Sequence, residues 1–235
     1  VQRVLDSLQG RIARDTATLT RNRFNWSAPF VISPHNPSTL YMGGHRLWKT
    51  VDRGDHWTPI SDDLSTRDTM KIRVSQRTTG GITADPTGAE THATITTVGE
   101  SPMRPGIIWV GTDDGNVWLT TNDGGAWTNL TGRFPGVPAR TWVTRVEPSH
   151  FDSATAYVTF DGHRDDNVRP YVFVTHDFGR TFTSIANNLP GDFYVHVIRE
   201  DPRRRQLLFV GTEYAAFVST DEGQTWKRLM RGMPT

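Results

Sequence analysis

Short segments of alternating apolar and polar residues run along this chain, and four of them end in the same kind of turn. Before the last turn, Phe217, Val218 and Ser219 are predicted to point inward, outward and inward, a period of two that indicates a β-strand. The turn has the pattern Ser/Thr-x-Asp/Asn-x-Gly-x-x-Trp/Phe and begins at Thr50, Thr120, Thr175 and Ser219. A pattern that returns in this way predicts a repeated structural unit.

The residues that flank the turn fix its register. An aromatic residue lies two positions before each Ser/Thr, and an aliphatic residue lies three positions after the final aromatic. The second copy is therefore counted through Asn122 rather than through the adjacent Asp123. The pattern positions are Asp52, Gly54 and Trp57; Asn122, Gly124 and Trp127; Asp177, Gly179 and Phe182; and Asp221, Gly223 and Trp226.

These pattern residues are predicted to be structural. Asp or Asn accepts hydrogen bonds from the backbone amides of a turn, and Gly adopts a positive φ at low cost. The final Trp or Phe is expected to pack against a neighbouring sheet. A calcium loop of the EF-hand type needs several more oxygen ligands and a distal Glu, so the turns predict no metal site.

Two further strands precede each turn. One has an aromatic residue near its middle and begins at Leu40, Ile108, Ala156 and Leu208; the strand before it begins at Phe30, Ile95, Trp142 and Val195 and runs towards a proline. A four-stranded antiparallel unit of about 45 residues is typical of a propeller blade. The predicted fold is all-β, a β-propeller with four visible blades that form part of a larger propeller. Residues 25–235 carry the blades, and residues 1–24 are an N-terminal segment or the remnant of an upstream blade.

Composition narrows the functional classes. Among 235 residues, 26 Lys and Arg nearly balance 25 Asp and Glu, whereas nucleic-acid binders usually show a basic bias. No apolar run approaches the ~20 residues that span a bilayer. The chain has no cysteine, which excludes disulfides, thiolate catalysis and Cys-ligated metals. No nucleophile elbow, metal-binding His pair or phosphate-binding loop is present, so no cofactor is predicted.

The turn pattern matches the Asp-box, also called the bacterial neuraminidase (BNR) repeat. Longer stretches at residues 23–29, 109–117, 159–164 and 209–214 resemble a group of exported bacterial proteins labelled sortilin-like or "glycosyl hydrolase, BNR repeat". The resemblance runs from about Arg23 to Thr235 and implies a propeller in a secreted, periplasmic or cell-surface bacterial protein. Members of this group are normally longer, with two propellers, and their activity is mostly assigned by label. The resemblance therefore transfers fold better than function.

Candidate binding residues are expected on one edge of the propeller. In an antiparallel blade, the connection between the second and third strands lies opposite the turn between the third and fourth. Loops of this kind often carry function. The expected ligand-binding candidates are His45, Arg46, Asp113, Asp114, Asp161, His163, Arg164, Glu213 and Tyr214. The structural alternative is that these residues only stabilise hairpin turns or form local ion pairs.

Three functions follow from this pattern. The first is a rigid recognition module that binds a protein, peptide or glycan at this edge. The second is glycoside hydrolysis by a pair of carboxylates, xyloglucanase-like rather than sialidase-like, because no arginine triad can be mapped. The third is a structural scaffold. No catalytic residue can be named from the sequence. An open sheet edge invites association, so self-association or a missing propeller half is also predicted.

Overall fold

The computed structural model describes residues 22–77 and 91–229, and these contain four antiparallel four-stranded sheets. The first sheet contains β1 (Phe30–Ile32), β2 (Leu40–Gly43), β3 (Leu47–Thr50) and β4 (Thr58–Pro59). The second contains β5 (Ile95–Glu100), β6 (Ile108–Thr112), β7 (Val117–Thr120) and β8 (Thr128–Asn129). The third contains β9 (Trp142–Pro148), β10 (Ala156–Gly162), β11 (Asn167–Thr175) and β12 (Thr183–Ser184). The fourth contains β13 (Val195–Asp201), β14 (Arg204–Thr212), β15 (Ala216–Ser219) and β16 (Lys227–Arg228).

Strands follow chain order within every sheet, which confirms the predicted all-β propeller architecture. The predicted boundary between residues 1–24 and 25–235 stays a prediction, because residues 1–21 lie outside the described part of the chain. Successive sheets pack face to face through apolar side chains. The contact between the second and third sheets is centred on Trp109, Phe160 and Phe173, all nearly inaccessible to solvent.

The turn motif has the same hydrogen bonds in all four sheets. In the third sheet, Oγ1 of Thr175 donates to Oδ1 of Asp177 at 2.8 Å and accepts from the amide of Gly179 at 3.0 Å. The amide of Thr181 donates to the same Asp177 oxygen at 3.0 Å. Phe178 and Gly179 have positive φ values of 57° and 74°. The motif therefore requires two consecutive left-handed residues, of which only the second is always glycine.

Asn122 replaces Asp in the second copy without loss of these contacts. Its side-chain oxygen accepts from Thr120 Oγ1 at 2.9 Å and from the Ala126 amide at 2.8 Å. The neighbouring Asp123 instead accepts a 2.5 Å hydrogen bond from Lys49 of the first sheet. The register through Asn122 is confirmed, and Asp123 joins two sheets rather than completing the turn.

One short helix, α1 (Thr69–Arg77), lies in the connection between β4 and β5 and was not predicted. In the sequence, Met70, Ile72 and Val74 alternate with polar residues at a period of two, which is not the periodicity of a helix. Asp68 starts the helix because its Oδ1 accepts from the amides of Met70 and Lys71 at 3.1 and 3.2 Å, the contacts of an N-cap.

Candidate functional site

The connections between the second and third strands lie on the edge of the sheets opposite the turn motifs. Because each sheet is an antiparallel meander, the connections from one sheet to the next reach this same edge. We call it the rim. All nine predicted candidates lie at or next to the rim, but the described structure divides them into a buried set and an accessible set.

His45 belongs to the buried set. Its Nδ1 accepts a 3.2 Å hydrogen bond from the amide of Arg23, and burial, with the Arg23 charge, lowers the pKa of His45 to about 4. The Arg23 guanidinium is buried and lies 2.6 Å from Asp63 Oδ2. His45 is therefore a neutral structural residue beside an internal ion pair. The adjacent Arg46 is half-buried and lines a polar groove of about 630 Å³ between the first and second sheets.

Asp113 and Asp114 are also buried. Asp113 accepts from the amide and the hydroxyl of Thr94, both at 2.9 Å. Asp114 accepts from the amide and the hydroxyl of Thr66, both at 2.7 Å, and from Thr112 Oγ1 at 2.6 Å. Burial, with the nearby Asp114 charge, raises the pKa of Asp113 to about 8. These carboxylates hold the β4–β5 connection against the second sheet, so their oxygens are used inside the fold.

The accessible set begins in the third sheet. The buried Asp161 is the penultimate residue of β10, which a 3-10 turn, His163–Asp165, follows. Its carboxylate accepts from the His163 amide at 2.8 Å, and His163 Nδ1 lies 2.6 Å from Oδ2. The Arg164 guanidinium lies 3.6 Å from the same Oδ2 and 4.2 Å from the centre of the Trp142 ring. One buried carboxylate thus orients a partly exposed imidazole and a partly exposed guanidinium.

The fourth sheet contributes residues that continue this group. The His163 ring stacks on Tyr194, with centroids 4.6 Å apart and planes at 24°, and Tyr194 meets His196 edge-on at 5.0 Å. His196 Nε2 lies 2.9 Å from Glu213 Oε2. Beside Glu213, Tyr214 is 61% exposed and its ring lies 5.3 Å from Phe193.

This group forms a continuous surface between the third and fourth sheets. We call it the rim cluster: Trp142, Asp161, His163, Arg164, Phe193, Tyr194, His196, Glu213 and Tyr214. Hydrogen bonds from His196 and Tyr194 hold the pKa of Glu213 below its usual value. Burial and the hydrogen bond to Glu213 raise the pKa of Tyr194 to about 12. At neutral pH the cluster therefore presents an ionised Glu213 carboxylate beside a protonated phenol.

Sequence reasoning missed Trp142, Phe193, Tyr194 and His196. It considered only the connections within each blade, whereas these residues lie at the start of a first strand or just before it. Because the connection between blades reaches the same edge, the adjacent Phe193 and Tyr194 were a usable signal. Two aromatic residues in a polar connection are unusual unless they pack or bind.

The described residues include no candidate metal site and no candidate membrane-spanning helix. No group of three or more His, Cys, Asp or Glu side chains within residues 22–77 and 91–229 is arranged to hold a metal ion. Within the same residues, no helix has the length and apolar character needed to cross a membrane. The chemistry available at the rim cluster is hydrogen bonding, charge pairing and aromatic stacking.

Comparison with known proteins finds similarity in structure alone. No protein-family model matches the chain, and no curated protein matches it. An ancestral GH74 enzyme superposes with a TM-score of 0.63 and 15% identity, covering 92% of this chain and 25% of that one. The GH74 xyloglucanase from Xanthomonas campestris gives 0.57 and 19%, covering 86% of this chain and 29% of that one.

A third structure is similar at a lower level. The extracellular domain of a hybrid two-component system from B. thetaiotaomicron gives a TM-score of 0.51 and 11% identity, covering 83% of this chain and 21% of that one. This chain therefore spans less than a third of the length of each of these three proteins. At these identities the similarity establishes the β-propeller fold and nothing finer.

Proposed function

We propose that this chain is a recognition module that binds a carbohydrate at the rim cluster, as part of an exported protein of the Asp-box type. The observation that carries the proposal is the row of contacting rings of His163, Tyr194 and His196, which joins Asp161 of the third sheet to Glu213 of the fourth. A binding surface built from two rigid sheets is preorganised, which lowers the entropy cost of binding.

The chemistry of the cluster suits a sugar. A pyranose ring has apolar faces that pack on aromatic rings, and hydroxyl groups at its edge that bond to carboxylates and imidazoles. Tyr214 offers an exposed ring next to the Glu213 carboxylate, and His163 offers an imidazole within the same cluster. The similarity in fold to GH74 enzymes, one of them a xyloglucanase, makes xyloglucan the first polysaccharide to test.

Isothermal titration calorimetry of the 235-residue chain with xyloglucan, a β-1,3-glucan and pectin tests this proposal. We expect one of these polysaccharides to bind, and Tyr214→Ala and Tyr194→Ala each to weaken binding about tenfold, the effect of losing roughly 1.4 kcal/mol. Met103→Ala is the matched control, because Met103 is an exposed apolar residue on the opposite edge. Failure of the parent chain to bind any polysaccharide would favour a peptide ligand or a scaffold instead.

Glycoside hydrolysis at the same cluster is the second candidate. Two carboxylate–imidazole pairs, Asp161 with His163 and Glu213 with His196, lie on either side of Tyr194. A pair of carboxyl groups is what both mechanisms of glycoside hydrolysis require. Release of reducing ends from xyloglucan would support this candidate if Asp161→Asn and Glu213→Gln each abolish it. Binding without turnover in the parent chain leaves recognition as the function.

A further inference from the structure

Each sheet presents one face to the sheet before it and one to the sheet after it. We call these the leading face and the trailing face. Within the described residues, three junctions are formed between successive sheets, and they are built from equivalent positions of the repeat. The leading face of the first sheet and the trailing face of the fourth sheet are the two members of a fourth possible junction.

The trailing face of the fourth sheet carries accessible apolar side chains, beside the exposed Arg199 and Lys227. Phe209 lies in β14 at the position that Tyr157 holds in β10, as their partners Val218 and Val174 show. Tyr157 is 3% exposed against the fourth sheet, whereas Phe209 is 36% exposed. Leu229 is likewise exposed, although its counterpart Ile185 is buried. These side chains have the character of an interface rather than of an outer surface.

The leading face of the first sheet is the complementary surface. Phe30 and Ile32 lie on this face of β1, and each is 58% exposed. The β-sheet register places Phe30 at the position of Ile198, which is fully buried in the fourth sheet. Among the four described sheets, this position of the repeat is therefore accessible in the first sheet, which contacts no preceding sheet within the described residues.

A directional contact identifies which surfaces fit together. At two junctions the indole of the turn motif donates to the carbonyl of the aliphatic residue that directly follows the last strand of the preceding sheet. Trp127 donates to Ile60 at 2.9 Å, and Trp226 donates to Ile185 at 2.7 Å. In the first sheet the indole is Trp57, and the aliphatic residue after the fourth sheet is Leu229.

The glycines of the turn motif give an independent indication. A Cβ atom at Gly179 would lie 2.5 Å from Leu130 of the preceding sheet, and one at Gly223 would lie 2.8 Å from Ile185. A Cβ at Gly54 would meet only the ring of its own Trp57, at 3.8 Å. The space that a preceding sheet fills at the other turns is therefore open at Gly54.

Two of the three junctions have a tyrosine and a glutamate as their central pair, and the junction between the second and third sheets has Trp109 and Pro148 at the same positions. Tyr41 donates to Glu100 at 3.1 Å, and Tyr157 donates to Glu200 at 3.0 Å. At the open junction the same two positions are Phe209 and Ile32, neither of which has a polar side-chain atom. A glutamate buried opposite Phe209 would receive no hydrogen bond from a tyrosine hydroxyl. Ile32 opposite Phe209 would instead form an apolar pair.

We propose that the trailing face of one copy of this chain binds the leading face of a second copy, with Phe209 against Ile32 and Trp57 donating to Leu229. The partner is a second copy because this chain carries both complementary surfaces. The contact is heterologous, so the copies close into a ring if the rotation between them permits and otherwise form an open chain.

Sedimentation velocity of the 235-residue chain over the micromolar range tests the proposal. We expect concentration-dependent association of the parent chain. Phe209→Glu and Ile32→Glu should each prevent self-association, while Met103→Glu, an exposed apolar residue outside both faces, should not. Circular dichroism and thermal unfolding of each variant establish that it is folded, which is expected because both side chains are already accessible.

Mixing the two single variants distinguishes a heterologous contact from any other. Phe209→Glu retains a free leading face and Ile32→Glu retains a free trailing face, so the mixture should form a 1:1 complex and nothing larger. A parent chain that stays monomeric would overturn the proposal and assign the two faces to other polypeptide segments. Homodimers of either variant would also overturn it, because they require a face that binds its own kind.

Discussion

The hydroxyl group of Tyr157 in the third sheet donates a 3.0 Å hydrogen bond to Oε1 of Glu200 in the fourth sheet. Burial, with the Glu200 charge, raises the pKa of Tyr157 above its usual value, so the phenol keeps its proton. Tyr41 and Glu100 join the first and second sheets in the same way. At these two junctions a polar contact inside an otherwise apolar interface helps to fix how adjacent sheets align.

Removing this hydroxyl should weaken the junction. We expect Tyr157→Phe to lower the free energy of unfolding by about 1–2 kcal/mol, because the buried Glu200 carboxylate loses one donor. Glu200 keeps Ser149 Oγ and the His150 amide as partners, which limits the effect. Urea denaturation measures the change, with Tyr214→Phe as the exposed control. Equal stability of the two variants would show that the hydrogen bond contributes nothing net.

Arg23 and Asp63 form an internal ion pair, and we expect the fold to lose stability when one of the two side chains is removed. Arg23→Met leaves Asp63 without its 2.6 Å guanidinium partner but with the amide and hydroxyl of Ser65, and should cost about 2 kcal/mol, the typical effect of losing a hydrogen bond to a charged group. The double variant Arg23→Met with Asp63→Leu should recover part of this loss. Denaturation of both variants provides the comparison, and a double variant less stable than Arg23→Met would contradict the interpretation.

Asp113 should make stability depend on pH. The pKa of Asp113 is raised to about 8 in the folded chain, whereas an unfolded Asp has a pKa of about 4. Between these values the folded state binds more protons than the unfolded state, so the free energy of unfolding falls as pH rises from about 4 to about 8. The contribution is greatest below pH 4 and is lost as pH rises through 8.

Asn resembles protonated Asp, so Asp113→Asn should flatten this dependence. The slope that disappears is at most about 1.4 kcal/mol per pH unit. Stability is measured by denaturation at several pH values between 4 and 9, with the exposed Asp165→Asn as control. Parallel curves for the parent and Asp113→Asn would show that Asp113 titrates normally.

The turn motif should tolerate Asn better than Ala at its acidic position. Asp177 accepts from Thr175, from the Thr181 amide and, at 2.6 Å, from the Thr181 hydroxyl. Asn122 shows that an amide oxygen can accept the first two of these hydrogen bonds. We expect Asp177→Asn to cost about 0.5 kcal/mol and Asp177→Ala about 1–2 kcal/mol. Thermal unfolding of the two variants compares them, and equal losses would contradict this ranking.

Asp177 of this turn should make the free energy of unfolding depend on pH in the opposite direction to Asp113. The hydrogen bonds from Thr181 lower the pKa of Asp177 to about 2, so its contribution is complete above pH 4 and is lost as pH falls towards 2. Asp177→Asn should therefore lose less stability on acidification than the parent chain. Denaturation between pH 2 and 5 measures this difference, and identical acid sensitivity would contradict it.

Much of the fold could be predicted because the repeat is local. The aromatic and aliphatic residues that flank the four turns predicted their register. The structure contains one four-stranded sheet for each turn, with a positive φ at each turn glycine. Helix α1 was missed because its apolar residues alternate like those of a strand, while its N-cap at Asp68 is a local contact that the periodicity does not reveal.

The candidate residues show the limit of the same reasoning. The chain order of strands was enough to place Asp113 and Glu213 on one edge, because antiparallel strands reverse direction at every turn. Strand order does not determine exposure. The connection between the first and second sheets brings Thr66 and Thr94 onto Asp114 and Asp113, whereas Glu213 remains accessible beside Tyr194.

The sequence by itself determined the repeated unit, the register of its turns and the edge on which its polar loops meet. Hydrogen bonds within a turn and the alternation along a strand depend on neighbours a few positions away. Only the tertiary structure decided that His45 and Asp113 are buried, that Tyr194 and His196 join the accessible set, and that Phe209 and Ile32 remain uncovered. Burial depends on contacts with residues far away in the chain, and the strand pattern does not contain those contacts.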